Sequence, residues 1–257
     1  INLVQGLSIV VGMIIGSGIF LKPAIVLKDA GNPIMALAAW ILGGIITLAS
    51  ALTIAEIASN IPRAGGLYTY LEELYGERWG FLLGWVQTVI SYPASVAAQA
   101  IAFSIYASYF IPMTDWQQRL LGIGVLALLL LLNILSTRCG AVIQVIATVG
   151  KLIPIAAILI VGLINGVSDG ALGVRSGLIG NTGTAILGTL WAYDGWISVT
   201  NMAGEMKNPK KNMPRAIIIG MILVIAVYAL FNVVIFNTLS ADVLADTEKV
   251  GIDVSVA

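Results

Sequence analysis

Gly12-Met13-Ile14-Ile15-Gly16-Ser17-Gly18-Ile19-Phe20 sets two glycines around a serine in the centre of an otherwise apolar run. Each glycine lowers helix stability by about 1 kcal/mol relative to alanine. Inside a bilayer, backbone leaves helical form only where it lines a cavity or is buried in protein. Unwinding here would free the amides of Ser17, Gly18 and Ile19 at the start of the following half-helix, an end that binds anions such as a carboxylate. The carbonyls of the preceding half-helix, near Ile14 and Ile15, would accept from a cationic amine. Close packing is the other reading, because Gly12 and Gly16 form a GxxxG pair of the kind that brings helices together.

The chain around this run is built for lipid. Of 257 residues, 59% are hydrophobic and 10% charged, with a mean hydropathy of +0.98; soluble domains carry about 25% charged residues. Thirteen basic residues balance thirteen acidic ones, which leaves no electrostatic footprint for nucleic acid. The chain has no histidine and a single cysteine, Cys139. That composition excludes His/Cys metal sites, Ser-His and Cys-His nucleophile pairs and an intramolecular disulfide, and nothing calls for a cofactor.

A helix needs roughly 20 apolar residues to cross the hydrocarbon core. Seven runs qualify, at about 3–27, 33–58, 80–111, 117–136, 140–165, 181–206 and 214–237, and are called spans 1 to 7 below. Period-two alternation is absent, so the expected class is an all-α polytopic membrane protein. Seven Lys/Arg fall in one set of loops and five in the other, and four of the seven cluster in Lys207–Arg215. The positive-inside rule then places the N-terminus in the cytoplasm and the acidic segment 238–257 outside. Between spans 2 and 3, Pro62 and Gly65-Gly66 break the chain, and Leu67–Tyr75 reads as a short amphipathic cytoplasmic helix. Between spans 6 and 7, Pro209 forbids continued helix and Pro214 suits the first turn of the next.

Span 6 repeats the anomaly of span 1. Its centre reads Trp191-Ala192-Tyr193-Asp194-Gly195-Trp196. A carboxylate there costs about 2.5–3.5 kcal/mol or more, and Asp-Gly is a strong turn signal. Asp194 either serves function or bonds the free amides of its own break. Broken helices at matching places in two halves point to a transporter site. Spans 1 and 6 are five apart, an odd number, so the second half is inserted upside down.

Two further residues are out of place in apolar spans. Lys151 lies too deep in span 5 to snorkel and should face the bundle interior. It would stand in for a bound cation and hold the broken part of span 1, as a fixed charge or as a proton carrier. Tyr228 is the one aromatic hydroxyl within span 7, and a buried tyrosine needs a hydrogen-bond partner, which loose backbone in spans 1 and 6 would offer. Gln87, Gln99, Asn133 and Asn232 read as helix–helix contacts.

These motifs together resemble one family. GSGIF (16–20) with Pro23 after it, PRAGGLYTYLEELYG (62–76), WAYDGW (191–196) and EMKNPKKNMPRAI (205–217) resemble the amino acid–polyamine–organocation superfamily. The nearest likeness is to its L-type, light-subunit-like transporters, and within them to bacterial alanine-serine-cysteine exchangers. The resemblance implies a LeuT-type fold of two inverted five-helix repeats, of which spans 1–5 and the start of the second repeat are present in one incomplete transport domain. It implies that Gly16, Ser17 and Gly18 meet the substrate carboxylate. Carbonyls near Ile14, Trp191 and Tyr193 would meet the amine, while Ala192 and Gly195 complete the site on span 6. Lys151 matches the family's lysine in span 5, which implies sodium-independent transport, with Lys151, Tyr228 and Asp194 in coupling or gating.

The expected function is therefore exchange of small neutral amino acids (alanine, serine, cysteine) across the cell membrane by alternating access. A proton-coupled symporter of the same fold is the alternative, and a channel is the rival from another class. Spans 2, 4 and 7 are too uniformly apolar to line a pore. An enzyme would need a second acid or base beside Asp194, and no other Asp or Glu lies mid-membrane. The loop after span 3, FIPMTDWQQR (110–119), has no cysteine, so no disulfide-linked heavy subunit is expected.

Overall fold

Span 1 folds as two helices. In the computed structural model, which describes residues 2–61, 63, 65–135, 150–162, 164 and 180–238, α1 (Leu3–Ile14) and α2 (Gly18–Ala30) meet at an angle of 50°. A capping box starts α1: the Asn2 side chain accepts from the Gln5 amide and the Gln5 side chain from the Asn2 amide, both at 2.9 Å. Ile15 then turns extended (ψ 93°) and the helix stops. Gly31, at φ 79°, closes α2 in the left-handed conformation that glycine adopts without strain.

Span 2 is α3 (Pro33–Asn60), with Pro33 in its first turn and Asn32 capping the Met35 amide at 2.8 Å. The short helix expected at 67–75 is α4 (Leu67–Tyr75), set off by Gly66 and Gly76, both at positive φ; Pro62 lies outside the described residues. Tyr70 packs α4 against residues of span 6, and its burial raises the phenol above its ordinary range while the neighbouring Thr200 hydroxyl opposes the shift. Span 3 is α5 (Glu77–Phe110), which widens into a π turn at Gln87–Ser91. The Tyr92 amide there bonds the Gln87 carbonyl, five residues back, just ahead of Pro93. A proline ring collides with the carbonyl four residues before it, and a π turn relieves that clash. Span 4 is α6 (Asp115–Leu135).

Of span 5, α7 (Gly150–Gly162) is described; the first part of the expected run, with Cys139, lies outside the described residues, as does the segment after Thr238. Span 6 departs from expectation. It begins as α8 (Thr182–Ala192), turns at Tyr193–Gly195, and continues as a 3₁₀ helix over Trp196–Glu205 instead of returning to α. The β-branched run Ile197, Val199, Thr200 is poor α-former, and the Thr200 hydroxyl donates to the Ile197 carbonyl at 2.6 Å.

Span 7 is α9 (Pro209–Thr238), and here the expected start is corrected. Pro209 opens the helix at its first position, where a missing N–H costs nothing. Asn208 (φ 48°) precedes it, and its carbonyl accepts from the Lys211 and Asn212 amides at 3.0 Å. Pro214 sits inside the helix, five residues further on.

Among the described residues, α3, α5, α6 and α9 are each long and apolar enough to cross a membrane, and α1 with α2 makes a fifth, bent span. The core lies where α9 packs on α3 and α1, and α8 on α2 and α3. Trp40, Tyr193 and Tyr228 form its aromatic centre, with ring centroids 5.0–6.0 Å apart. The α5–α6 pair stands outside this core and presents Trp85, Phe103 and Leu130 outward, as a lipid-facing surface would.

Candidate functional site

The two breaks lie against each other. Gly195 adopts φ 106°, and a Cβ there would sit 2.8 Å from the carbonyl oxygen of Met13. A Cβ on Gly18 would sit 3.0 Å from the Cα of Ala192. Each broken segment thus passes within backbone contact of the other because each carries a glycine at the crossing. Among the described residues, close packing does not explain the other two glycines: a Cβ on Gly12 would meet nothing within 4 Å, and one on Gly16 the neighbouring Ile14 carbonyl at 3.8 Å. Among the described residues the GxxxG pair has no packing partner, and the tight contact belongs to Gly18.

A helix that stops leaves its last carbonyls without amide partners. In α1 two of them are taken up by other elements. Lys151 on α7 donates from Nζ to the Gly12 carbonyl at 2.5 Å. The Met13 carbonyl lies against the backbone of Gly195, a packing contact and not a hydrogen bond. Tyr228 on α9 directs its hydroxyl at two carbonyls, Ile14 at 2.9 Å and Ala192 at 3.0 Å, one from each break. A phenol has one proton to donate, so the two oxygens share it. The Ile14 carbonyl, assigned to a ligand amine, is therefore already one of Tyr228's acceptors and keeps a single lone pair.

The amide side of the break is different. The first bonded amides of α2 are those of Phe20 and Leu21, both to the Ser17 carbonyl at 3.1 and 3.0 Å. The amides of Gly16, Ser17, Gly18 and Ile19 have no hydrogen-bond partner among the described residues. Ser17 occupies the N-cap position but does not cap; its hydroxyl donates to Gln99 Oε1 on α5 at 2.8 Å. A row of free amides at a helix N-terminus has the geometry and the dipole that suit an anion.

On span 6, Tyr193 is fully buried and its hydroxyl donates to the Trp40 carbonyl of α3 at 3.0 Å, so its ring is committed to the core. The Trp191 carbonyl accepts the Asp194 amide at 3.3 Å in the turn. Trp191 itself is 42% exposed, and the Lys22 ammonium lies over its ring, 4.8 Å from the centroid. Asp194 is exposed, and its carboxylate has no partner among the described residues. The reading in which it bonds the amides of its own break is not realised.

Three contributors escaped the sequence reading. Gln99 reads as a packing amide, and nothing in YPASVAAQAIA marks it as the partner of Ser17. Trp40 gives no signal in a uniformly apolar span. Lys22 did give one, because a charge inside the bounds of span 1 is anomalous, yet it reads as a loop cation when loops are counted for orientation. A groove of about 490 Å³ between α5 and α6, with Asp115 and Arg119 on its lining, is separate from both breaks.

The model of one family, amino acid permease, matches residues 1–255. The chain is 46% identical over 243 residues to the serine/threonine exchanger SteT of Bacillus subtilis (strain 168), covering 94% of this chain and 56% of that protein. It is 35% identical over 267 residues to Asc-type amino acid transporter 1 of Mus musculus (98% of this chain, 50% of the other). It is 34% identical over 262 residues to b(0,+)-type amino acid transporter 1 of Homo sapiens (98% and 54%). The chain spans about half the length of the curated relatives it matches.

Proposed function

Since the chain belongs to the amino acid permease family and is a multi-pass membrane protein, we propose that it forms the substrate-holding part of a sodium-independent exchanger of small neutral amino acids. The observation that carries this reading is the row of unbonded amides at Gly16–Ile19, facing across the break from the carbonyl end of α1. The amides take the carboxylate. The remaining lone pair of Ile14, with the carbonyls of Trp191 and Tyr193, takes the ammonium. Ala192 and Gly195 present little side chain, which favours substrates of the size of alanine, serine or cysteine. A relative of this chain is named for serine and threonine exchange, which supports substrates of this class.

Lys151 supports sodium independence, because its ammonium occupies a carbonyl at the end of α1 that a metal cation would otherwise need. Alternating access follows if the element holding both breaks rocks against the rest, with Tyr228 keeping the two breaks in register. The N-terminus is then cytoplasmic, which the cluster Lys207–Arg215 supports, and the protein works without a disulfide-linked partner subunit.

Counterflow in liposomes tests the reading. Labelled serine should enter vesicles preloaded with unlabelled serine, equally in sodium and choline buffers, and should fail to enter empty vesicles. Uptake into empty vesicles driven by an inward pH gradient would refute exchange and install proton symport, with Lys151 as the carrier.

A further inference from the structure

Lys22 is a charge within a membrane-spanning helix for which neither the fold nor the carbonyl network has a use. It lies on α2 four residues past Gly18, one turn or about 6 Å from the free amides. It is half-buried and makes no ion pair among the described residues, where the ion pair found is Arg63–Glu73 at 2.8 Å. Its ammonium is placed instead on the Trp191 ring, 4.8 Å from the centroid. The same ring reaches back to the break: a Cβ on Gly18 would lie 3.6 Å from Trp191 Cζ3. Trp191 thus spans from the carboxylate-binding amides to Lys22, and its own backbone is part of the span 6 break.

We propose that Lys22 is a specificity-determining residue that excludes cationic amino acids from this site. The inference rests on the amino-acid reading above. The end of α2 already carries the partial positive charge of its dipole. A fixed ammonium one turn away, held in place by the cation–π contact, adds a full charge on the side of the site where the Trp191 ring lies. A substrate carboxylate gains from both. A zwitterion's own ammonium sits on the opposite, carbonyl side of the break. A second ammonium on a substrate side chain that runs along the Trp191 ring meets Lys22. Packing along Trp191 is what keeps the lysine from extending away toward the membrane surface, the usual course for a lysine near a helix end.

The test uses the full-length protein in liposomes preloaded with serine. Labelled serine uptake is competed with external L-lysine and with norleucine, which has the same chain without the charge, and the ratio of their inhibition constants is read. Lysine should be much the weaker competitor in the wild type. Lys22→Met, which keeps the stem and removes the charge, should lower the lysine-to-norleucine ratio about tenfold, as should Lys22→Gln, while Lys22→Arg should stay within about twofold of the wild type. An unchanged ratio in both neutral variants while serine uptake persists overturns the assignment of Lys22 alone. A wild type that accepts lysine as readily as norleucine does the same. Absence of serine uptake by the wild type overturns the substrate reading, and the selectivity role falls with it.

Discussion

Replacing Tyr228 with phenylalanine removes one oxygen from the centre of the molecule and leaves its packing in place. The ring keeps its neighbours, Trp40 at 5.3 Å and Tyr193 at 5.0 Å. What disappears is the donor to the Ile14 and Ala192 carbonyls, on residues each 3% exposed. Leaving one buried acceptor unsatisfied costs about 1–3 kcal/mol. The second carbonyl shares the same proton and adds less than its full share, which puts the total at about 2–3 kcal/mol. Tyr193→Phe is the matched control. It also deletes a buried hydroxyl, but the Trp40 carbonyl that loses its donor lies inside α3 and keeps its helical amide, so the cost is about 1 kcal/mol. Thermal unfolding of the purified protein in detergent should rank Tyr228→Phe below Tyr193→Phe by several degrees. Transport should follow the same order, with a fall of about tenfold or more in exchange rate for Tyr228→Phe, because 1.4 kcal/mol of lost register between the breaks is worth a factor of ten. Equal stability of the two variants would refute the idea that this hydroxyl ties the breaks together.

Other perturbations follow from the same geometry. Gly195→Ala combines a strained positive φ with a Cβ 2.8 Å from the Met13 carbonyl, a backbone atom that cannot step aside, and should cost about 2–5 kcal/mol, visible as loss of monodisperse protein in gel filtration. Gly12→Ala, whose Cβ inside α1 would meet no described residue within 4 Å, should be neutral or stabilising by up to about 1 kcal/mol in the same assay; a loss as large as that of Gly195→Ala would support the close-packing reading. Lys151→Ala strands the Gly12 carbonyl, which lowers stability by about 1–3 kcal/mol, and is expected to slow exchange by the remaining folded protein more than tenfold. Wild-type kinetics in that variant would remove Lys151 from the mechanism. Serinamide, which lacks the anion that the free amides of Gly16–Ile19 call for, should compete with serine at least about a hundredfold more weakly, since each charge-assisted bond is worth about 1.5–3 kcal/mol; equal competition would mean that the amides do not hold the carboxylate.

The parts of this fold that could be read from sequence are those set by local chemistry. The break in span 1 follows from Gly-Ser-Gly in an apolar run, and the turn in span 6 from Asp-Gly, because both signals act within a few residues. The same holds for α4, which is bounded by Gly65, Gly66 and Gly76. Lys151 and Tyr228 were legible as residues in need of partners, since depth in the membrane makes an unpaired polar group expensive. Their partners were not legible. Tyr228 and Ile14 are separated by 214 residues, and no periodicity encodes which carbonyl meets which donor. Hydropathy is also blind to helix type, which is why the 3₁₀ form of Trp196–Glu205 and the start of α9 at Pro209 went unread. The exposure of Asp194 belongs to tertiary packing in the same way: the sequence shows that a carboxylate sits at the break but not which way it faces.

The two sides of the first break are treated unequally, and that inequality bears on how the protein works. The carbonyl side is secured by α7 through Lys151 and by α9 through Tyr228, with the turn of span 6 packed against it at Gly195. Among the described residues, the amide side has one side-chain tether, Ser17 to Gln99 of α5, and four amides left open. A break closed on both sides would be a structural kink; one open on both would be unstable at membrane depth. With the carbonyls held and the amides free, a carboxylate is the group whose arrival completes the hydrogen bonding of α2. Binding and the integrity of the broken helix are then one equilibrium. In the exchange proposed above, the loaded carrier would differ from the empty one in whether the start of α2 is satisfied, which is the differential contact that a substrate-dependent reorientation requires.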